Sequence, residues 1–286
     1  MTRPQDRSPN LLFGATVRSA ERVTPGFVRL GLHGPDLERL VDRGLDQRMK
    51  LLVPRGGYPA ELLEPLLPER EWRRRWRALD PAVRPALRSY TVGEARPALG
   101  ELDVDVFVHA EPGPASAWAL AARPGDPLLL SAPDAGLERA AGDRVAHGVQ
   151  WHPGGAERML LAGDETAFPA IAGILRALPS EATVEVVLEV ADRADLALVE
   201  PFLGGADLDV RMREPGTPGG LPLLDGVAAW ADAHGAAAAA LGDGFFAWSA
   251  TETGHVARIR SLLTEAGIRS DRAHAQGYWN DRPRSD

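Results

Sequence analysis

Apolar and polar positions alternate with period two through the first half of the chain. "ATVRSAERVT" and "FVRLGLHG" flank Pro25-Gly26, which predicts a hairpin. "RMKLLV" (48–53) is a short apolar strand. "ELDVDVFVHA" (101–110) sets acidic or polar residues against valines, as a half-buried strand does. "DPLLLSAP" enters another strand through the turn Pro124-Gly125-Asp126. Short strands with turn residues between them predict an antiparallel barrel or sandwich.

The period changes in the second half. "RMLLAG" (158–163), "ATVEVVLEV" (182–190), "LDVRMR" (208–213) and "FFAWSA" (245–250) read as buried strands. Helical stretches stand between them: 166–178, "LPLLDGVAAWADAHG" ending at a glycine, and "ETGHVARIRSLLTEAG". Alternating strands and helices predict a mostly parallel sheet with crossovers. The tract "AHGAAAAALG" reads as loop and strand filler, and 137–157 as a linker without periodicity. The domains expected are 10–140 and 155–286.

The 286 residues are long for one core and comfortable for two. A net charge of −8 excludes a nucleic-acid surface, and the basic run "REWRRRWR" reads as a solvated helix face. The absence of cysteine excludes disulfides, thiolate metal sites and a cysteine nucleophile. The start "MTRPQDRSPN" has no apolar signal core and no run is long enough for a membrane span, so a cytoplasmic monomer without membrane partners is expected. The seven histidines are scattered, and no Ser/His/Asp order suggests a hydrolase.

Candidate chemistry sits at three places. "RSYT" offers Arg88 as a planar fork for a pyrophosphate, Tyr90 as a stacking ring and Thr91 as a hydroxyl, or is an ordinary strand entry. "EPGPASAWA" places Pro114 at a helix start, whose open amides and Ser116 hydroxyl make an anion site, or is a plain capped helix. "LLAGDETAFP" is strand, turn and helix, the place where an α/β sheet binds a nucleotide. At the end of the next strand, Glu189 and Asp192 have the chemistry for a ribose diol, with Arg193 beside them.

Taken together, "RSYT", "HAEPGPASAWA", "GDETAFP", "SATE" and "GYW" resemble the siderophore-interacting proteins, ferric-siderophore reductases of the ferredoxin-reductase-like flavoprotein superfamily. The resemblance runs from about Leu12 to Trp279 in motif order. It implies an N-terminal antiparallel β-barrel FAD-binding domain followed by an α/β parallel-sheet domain for NADH, or NADPH. It assigns Arg88, Ser89, Tyr90, Thr91, His109, Gly113, Ala115, Ser116 and Trp118 to FAD. Asp164, Glu165, Thr166, Pro169 and Glu252 fall to the nicotinamide donor, with Glu189 on its ribose. Tyr278, Trp279 and Arg282 fall to the substrate side, with no catalytic acid or base and no metal ligand. The implied activity is reduction of a ferric siderophore with release of Fe(II).

The chain holds one lysine, Lys50, in "DQRMKL". The family's D-x-x-x-K-L strand puts a lysine on the substrate side; the alternative is a lysine snorkelling from an edge strand. Four positions depart from the family's pattern: Gly93, Asp134 and Asn280 stand where a basic residue is usual, and Thr251 replaces a glycine. A general NAD(P)H-dependent flavin or ferric reductase, and a non-enzymatic siderophore carrier, are the other readings these departures leave open.

Overall fold

The computed structural model describes residues 8–141 and 147–281. The chain divides into two compact units, with the division between Val149 and Gln150.

The first unit holds β1 (Asn10–Thr24), β2 (Phe27–His33), β3 (Arg48–Val53), β4 (Leu67–Pro68), α1 (Glu69–Ala78), β5 (Ala86–Thr91), β6 (Ala95–Arg96), β7 (Glu101–Phe107), α2 (Pro114–Ala121), β8 (Pro127–Pro133) and α3 (Ala135–Ala141). The strands form one antiparallel sheet in the order β5-β3-β8-β1-β2-β7-β6, with β4 beside β1. Just past β5, Gly93 N–H donates to Asp103 O of β7 at 3.1 Å, so the two ends of the sheet close into a barrel.

Alternation along the strands sorts side chains onto two faces. Met49, Leu51, Val53, Ala86 and Tyr90 belong to the interior with Phe13, Leu30 and Leu130. Leu52 and Leu87 point the other way, into a second cluster around Trp72 of α1. The basic run is therefore not only a solvated face: Trp72 is wholly buried, while Arg70, Arg74 and Arg77 are exposed.

The second unit holds β9 (Arg158–Gly163), α4 (Phe168–Ala177), β10 (Thr183–Val190), β11 (Asp207–Met212), α5 (Leu221–Ala240), β12 (Phe245–Glu252), α6 (Val256–Glu265) and β13 (Ala273–Trp279). The five strands are all parallel, in the order β11-β10-β9-β12-β13. The strand order reverses between β9 and β12, the topological switch point of a doubly wound sheet. Helices α5 and α6 bury Val227, Trp230, Ile259 and Leu263 against Leu160, Val187 and Ala247, and α4 packs against β9.

Two local expectations are corrected. Gly235 does not end a helix, because α5 runs on to Ala240. A Cβ at Gly235 would lie 2.5 Å from Ala266 Cβ, so the glycine allows a close crossing, and the alanine-rich tract continues the helix as the best helix former. The supposed linker also begins inside α3, whose first turn Asp134 caps by accepting Leu137 N–H at 2.9 Å.

Candidate functional site

The carboxyl ends of the parallel strands carry one connected polar cluster. Asp164, directly after β9, is buried at 1% exposure. Its Oδ1 accepts Thr166 N–H at 3.0 Å and the Thr166 hydroxyl at 2.5 Å. Its Oδ2 accepts the Thr251 hydroxyl at 2.9 Å and the Trp279 indole N–H at 2.8 Å. One carboxylate thus ties β9 to β12 across the switch point and to the end of β13. Thr251, the residue standing where the family has glycine, is one of these four donors. Glu252 accepts Gly254 N–H and Asp281 N–H, and Thr253 donates to Trp279 O at 2.8 Å, so the chain ends of β12 and β13 hold each other. Tyr278 meets Trp248 edge-on at 6.1 Å.

A second layer lies beneath. Arg213, after β11, donates to Glu165 Oε2 and Oε1 at 2.9 and 2.6 Å and to Glu189 Oε1 at 2.5 Å. Glu165 also accepts Ala191 N–H at 2.8 Å. Burial pushes the Glu165 carboxyl up to about 7, against the downward pull of the Arg213 guanidinium. Glu189 is wholly buried and accepts Gly220 N–H and Leu223 N–H, at 2.9 and 3.0 Å, at the start of α5. Gly220 needs its left-handed φ of 90° for this turn. The ribose role expected of Glu189 is not what its position offers, because both oxygens cap α5 and hold Arg213. Asp192 likewise accepts Ala194 N–H at 2.9 Å.

In the first unit the candidate residues lie on β5 (Arg88 and Tyr90), after β7 (His109) and on α2. Arg88 and Tyr90 share the inward face of β5, and α2 packs against β3 and β5. Burial pushes the Tyr90 phenol up, and Arg88 pulls it down. His109 meets Phe107 edge-on at 5.0 Å, and Trp118 and Ala115 pack on the barrel core. Helix α2 starts at Gly113 without a side-chain cap, and no atom lies within 4 Å of where a Cβ would stand there. The Ser116 hydroxyl is not part of the open end: it donates inward to Phe107 O at 3.0 Å. The donor set that remains is a guanidinium fork, uncapped helix amides and flat rings. It fits an FAD, with Arg88 and the amides of Ala115 and Ser116 for the pyrophosphate and Tyr90 for the ring system. Thr91 is buried, and Pro169 is half-buried at the first turn of α4.

Lys50 pairs with Ser89 across β3 and β5, and its ammonium donates to the Ser89 hydroxyl. Both lie on the face opposite Arg88 and Tyr90. The departures at two basic positions have structural causes. A Cβ on Gly93 would stand 2.5 Å from Asp103 O, so no larger side chain fits this backbone. Asp134 is wholly buried, caps α3 and accepts from Arg39 Nε at 2.7 Å. Arg282 lies outside the described residues. Sequence reasoning missed Arg213; its one signal was an arginine ending the third parallel strand while acids end the first two. Among the described residues, no group of His, Asp and Glu has the arrangement to hold a metal, and no helix is long and apolar enough to cross a membrane.

Residues 16–137 match the model of the siderophore-interacting FAD-binding domain, and residues 156–282 match that of the siderophore-interacting protein. The chain belongs to the siderophore-interacting protein family. Its first unit carries the family's FAD-binding domain. It is similar to the siderophore utilization protein from T. fusca, with 28% identity, a TM-score of 0.71, and coverage of 97% of this chain and 96% of that one. It is 33% identical to the ferric vibriobactin reductase ViuB of Vibrio cholerae over 173 residues, 60% of this chain and 56% of that protein. It is 29% identical to the mycobactin import ATP-binding/permease protein IrtA of Mycolicibacterium smegmatis over 274 residues, 93% of this chain. That match spans only 26% of the permease.

Proposed function

We propose that this family member is an FAD-dependent reductase that takes electrons from NADH, or NADPH, and delivers them to a ferric siderophore, releasing Fe(II). The observation that carries the reading is the Asp164 cluster, which joins three of the family's motifs at the switch point of a doubly wound parallel sheet, the place where such sheets bind ligands. When bound, FAD supplies the relay between a two-electron donor and a one-electron acceptor.

The residues do the orienting. Arg88 and the α2 amides hold an anion, with Thr91, His109 and Gly113 beside them, while Ser89 faces the other way with Lys50 and is left out of the FAD contacts. Asp164, Thr166, Pro169 and Glu252 shape the donor pocket, with Glu165 behind them. Tyr278, Trp279, Lys50 and Arg282 are the proposed substrate contacts, Lys50 as a mobile cation for an anionic ligand. The proposed setting is a cytoplasmic monomer.

The purified protein with NADH and an Fe(II)-specific chelator tests this reading. Fe(II) should appear with a ferric hydroxamate or catecholate, and its absence with every ferric siderophore, from a protein that binds FAD, refutes siderophore reduction. A second reading, a general ferric reductase, is favoured by the closed Gly93 position and the occupied Asp134, which leave two fewer places for positive charge. Equal turnover of ferric citrate and ferric siderophores selects it. Tight siderophore binding with no NADH oxidation selects a carrier instead.

A further inference from the structure

The two carboxylates under the donor pocket share a single cation. Glu165 is 1% exposed, Glu189 is fully buried, and Arg213 has a side-chain exposure of 15%. Each carboxylate has a second task. Glu165 follows Asp164 in the chain and fixes the end of β10 through Ala191 N–H. Glu189 caps the twenty-residue α5, which has no cap of its own at Gly220. The turn before α5 in turn carries Gly219, where a Cβ would lie 2.8 Å from Trp279 Cζ2; the indole that bonds Asp164 therefore rests against this backbone.

We infer that Arg213 is the positioning residue of the donor pocket: it sets the Asp164–Thr166 turn through Glu165 and the Gly219–Gly220 turn through Glu189. A guanidinium suits the task because its rigid fork serves three carboxylate oxygens at once, which a lysine ammonium on a flexible stem does not. Removing it leaves two buried carboxylates facing each other without a cation, and both turns lose their common anchor. Its role runs through the two carboxylates it holds, Glu165 and Glu189. The inference rests on the proposed reductase reading.

The test uses the FAD-loaded protein, with NAD+ and NADP+ titrated by calorimetry and steady-state kinetics run with NADH and NADPH. Arg213→Met should weaken binding of the preferred dinucleotide and raise its KM by about 10–100-fold, the scale of a small misplacement of a binding group. kcat should change less, and FAD content should stay that of the wild type, since Arg88 and α2 belong to the other unit. Arg213→Lys keeps the charge and guards against a variant that fails to fold. It should recover part of the affinity, because one point charge holds only part of the set.

Wild-type KM and affinity in Arg213→Met overturn the inference. So does full recovery in Arg213→Lys, which reduces the residue to a neutralising charge. Loss of FAD in step with dinucleotide affinity also overturns it, since the effect is then global. A wild-type protein that binds neither dinucleotide overturns the reductase reading itself, and the inference with it.

Discussion

Replacing Asp164 by asparagine keeps the shape of the hub and changes only its hydrogen-bonding capacity. The carboxylate accepts four donors, two on each oxygen. An amide has one oxygen and one NH2. The Thr166 and Thr251 hydroxyls can reverse and accept from that NH2, but the Thr166 amide and the Trp279 indole only donate. Either orientation of the asparagine therefore strands one N–H. The lost bond is one to a charged acceptor, worth about 1.5–3 kcal/mol. In a unit of this size that corresponds to a fall in melting temperature of about 5–10 °C. Trp279 and Thr166 are both half-buried, and in either orientation the indole loses its charged acceptor, keeping at most a neutral amide oxygen.

Thermal unfolding reads the stability. The indole N–H resonance of Trp279, assigned by its absence in Trp279→Phe, reads the bond itself. It should move in Asp164→Asn while NADH-dependent flavin reduction slows. Thr251→Val should cost less, about 1 kcal/mol, because Trp279 keeps Oδ2. An Asp164→Asn protein within 0.5 kcal/mol of wild type, with an unmoved indole resonance, refutes the reasoning.

Three further outcomes follow from the geometry. Gly93→Ala should cost about 1–3 kcal/mol in denaturant unfolding, the usual range for overpacking, because its Cβ meets Asp103 O; a neutral result shows the barrel seam can open. Asp134→Ala should cost about 1–2 kcal/mol through the lost α3 cap, and Asp134→Lys should cost more without improving siderophore affinity, as measured by unfolding and ligand titration. Glu165, raised to about 7, binds more protons folded than unfolded, so its contribution to stability falls as pH rises from about 4.5 to 7. Glu165→Gln should therefore gain on wild type across that window in melting-temperature profiles, and a flat difference contradicts the shift.

The two-unit architecture was legible because period-two and buried-strand patterns are local, and each strand carries its own. The motif ends were legible as residue types at strand ends. What they bind was not, because Thr251 and Trp279 stand 87 and 115 residues from Asp164, and only the parallel sheet brings them together. Glu189 shows the same limit from the other side. Its place at the end of β10 suggested an open carboxylate, but nothing local to it reveals that Gly220, Leu223 and Arg213 take both oxygens. Gly235 failed for a steric reason: a glycine tolerated for a close helix crossing looks, in sequence, like one that ends a helix. Gly93 and Asp134 looked like missing positive charge, and packing shows that one position has no room and the other already has a partner.

The most direct test of the account is an anaerobic absorption experiment on the purified protein supplemented with FAD. NADH or NADPH should bleach the oxidised-flavin bands, and a ferric siderophore added afterwards should restore them. A protein that binds FAD but is bleached by neither donor contradicts the assignment of the Asp164 cluster to a nicotinamide site.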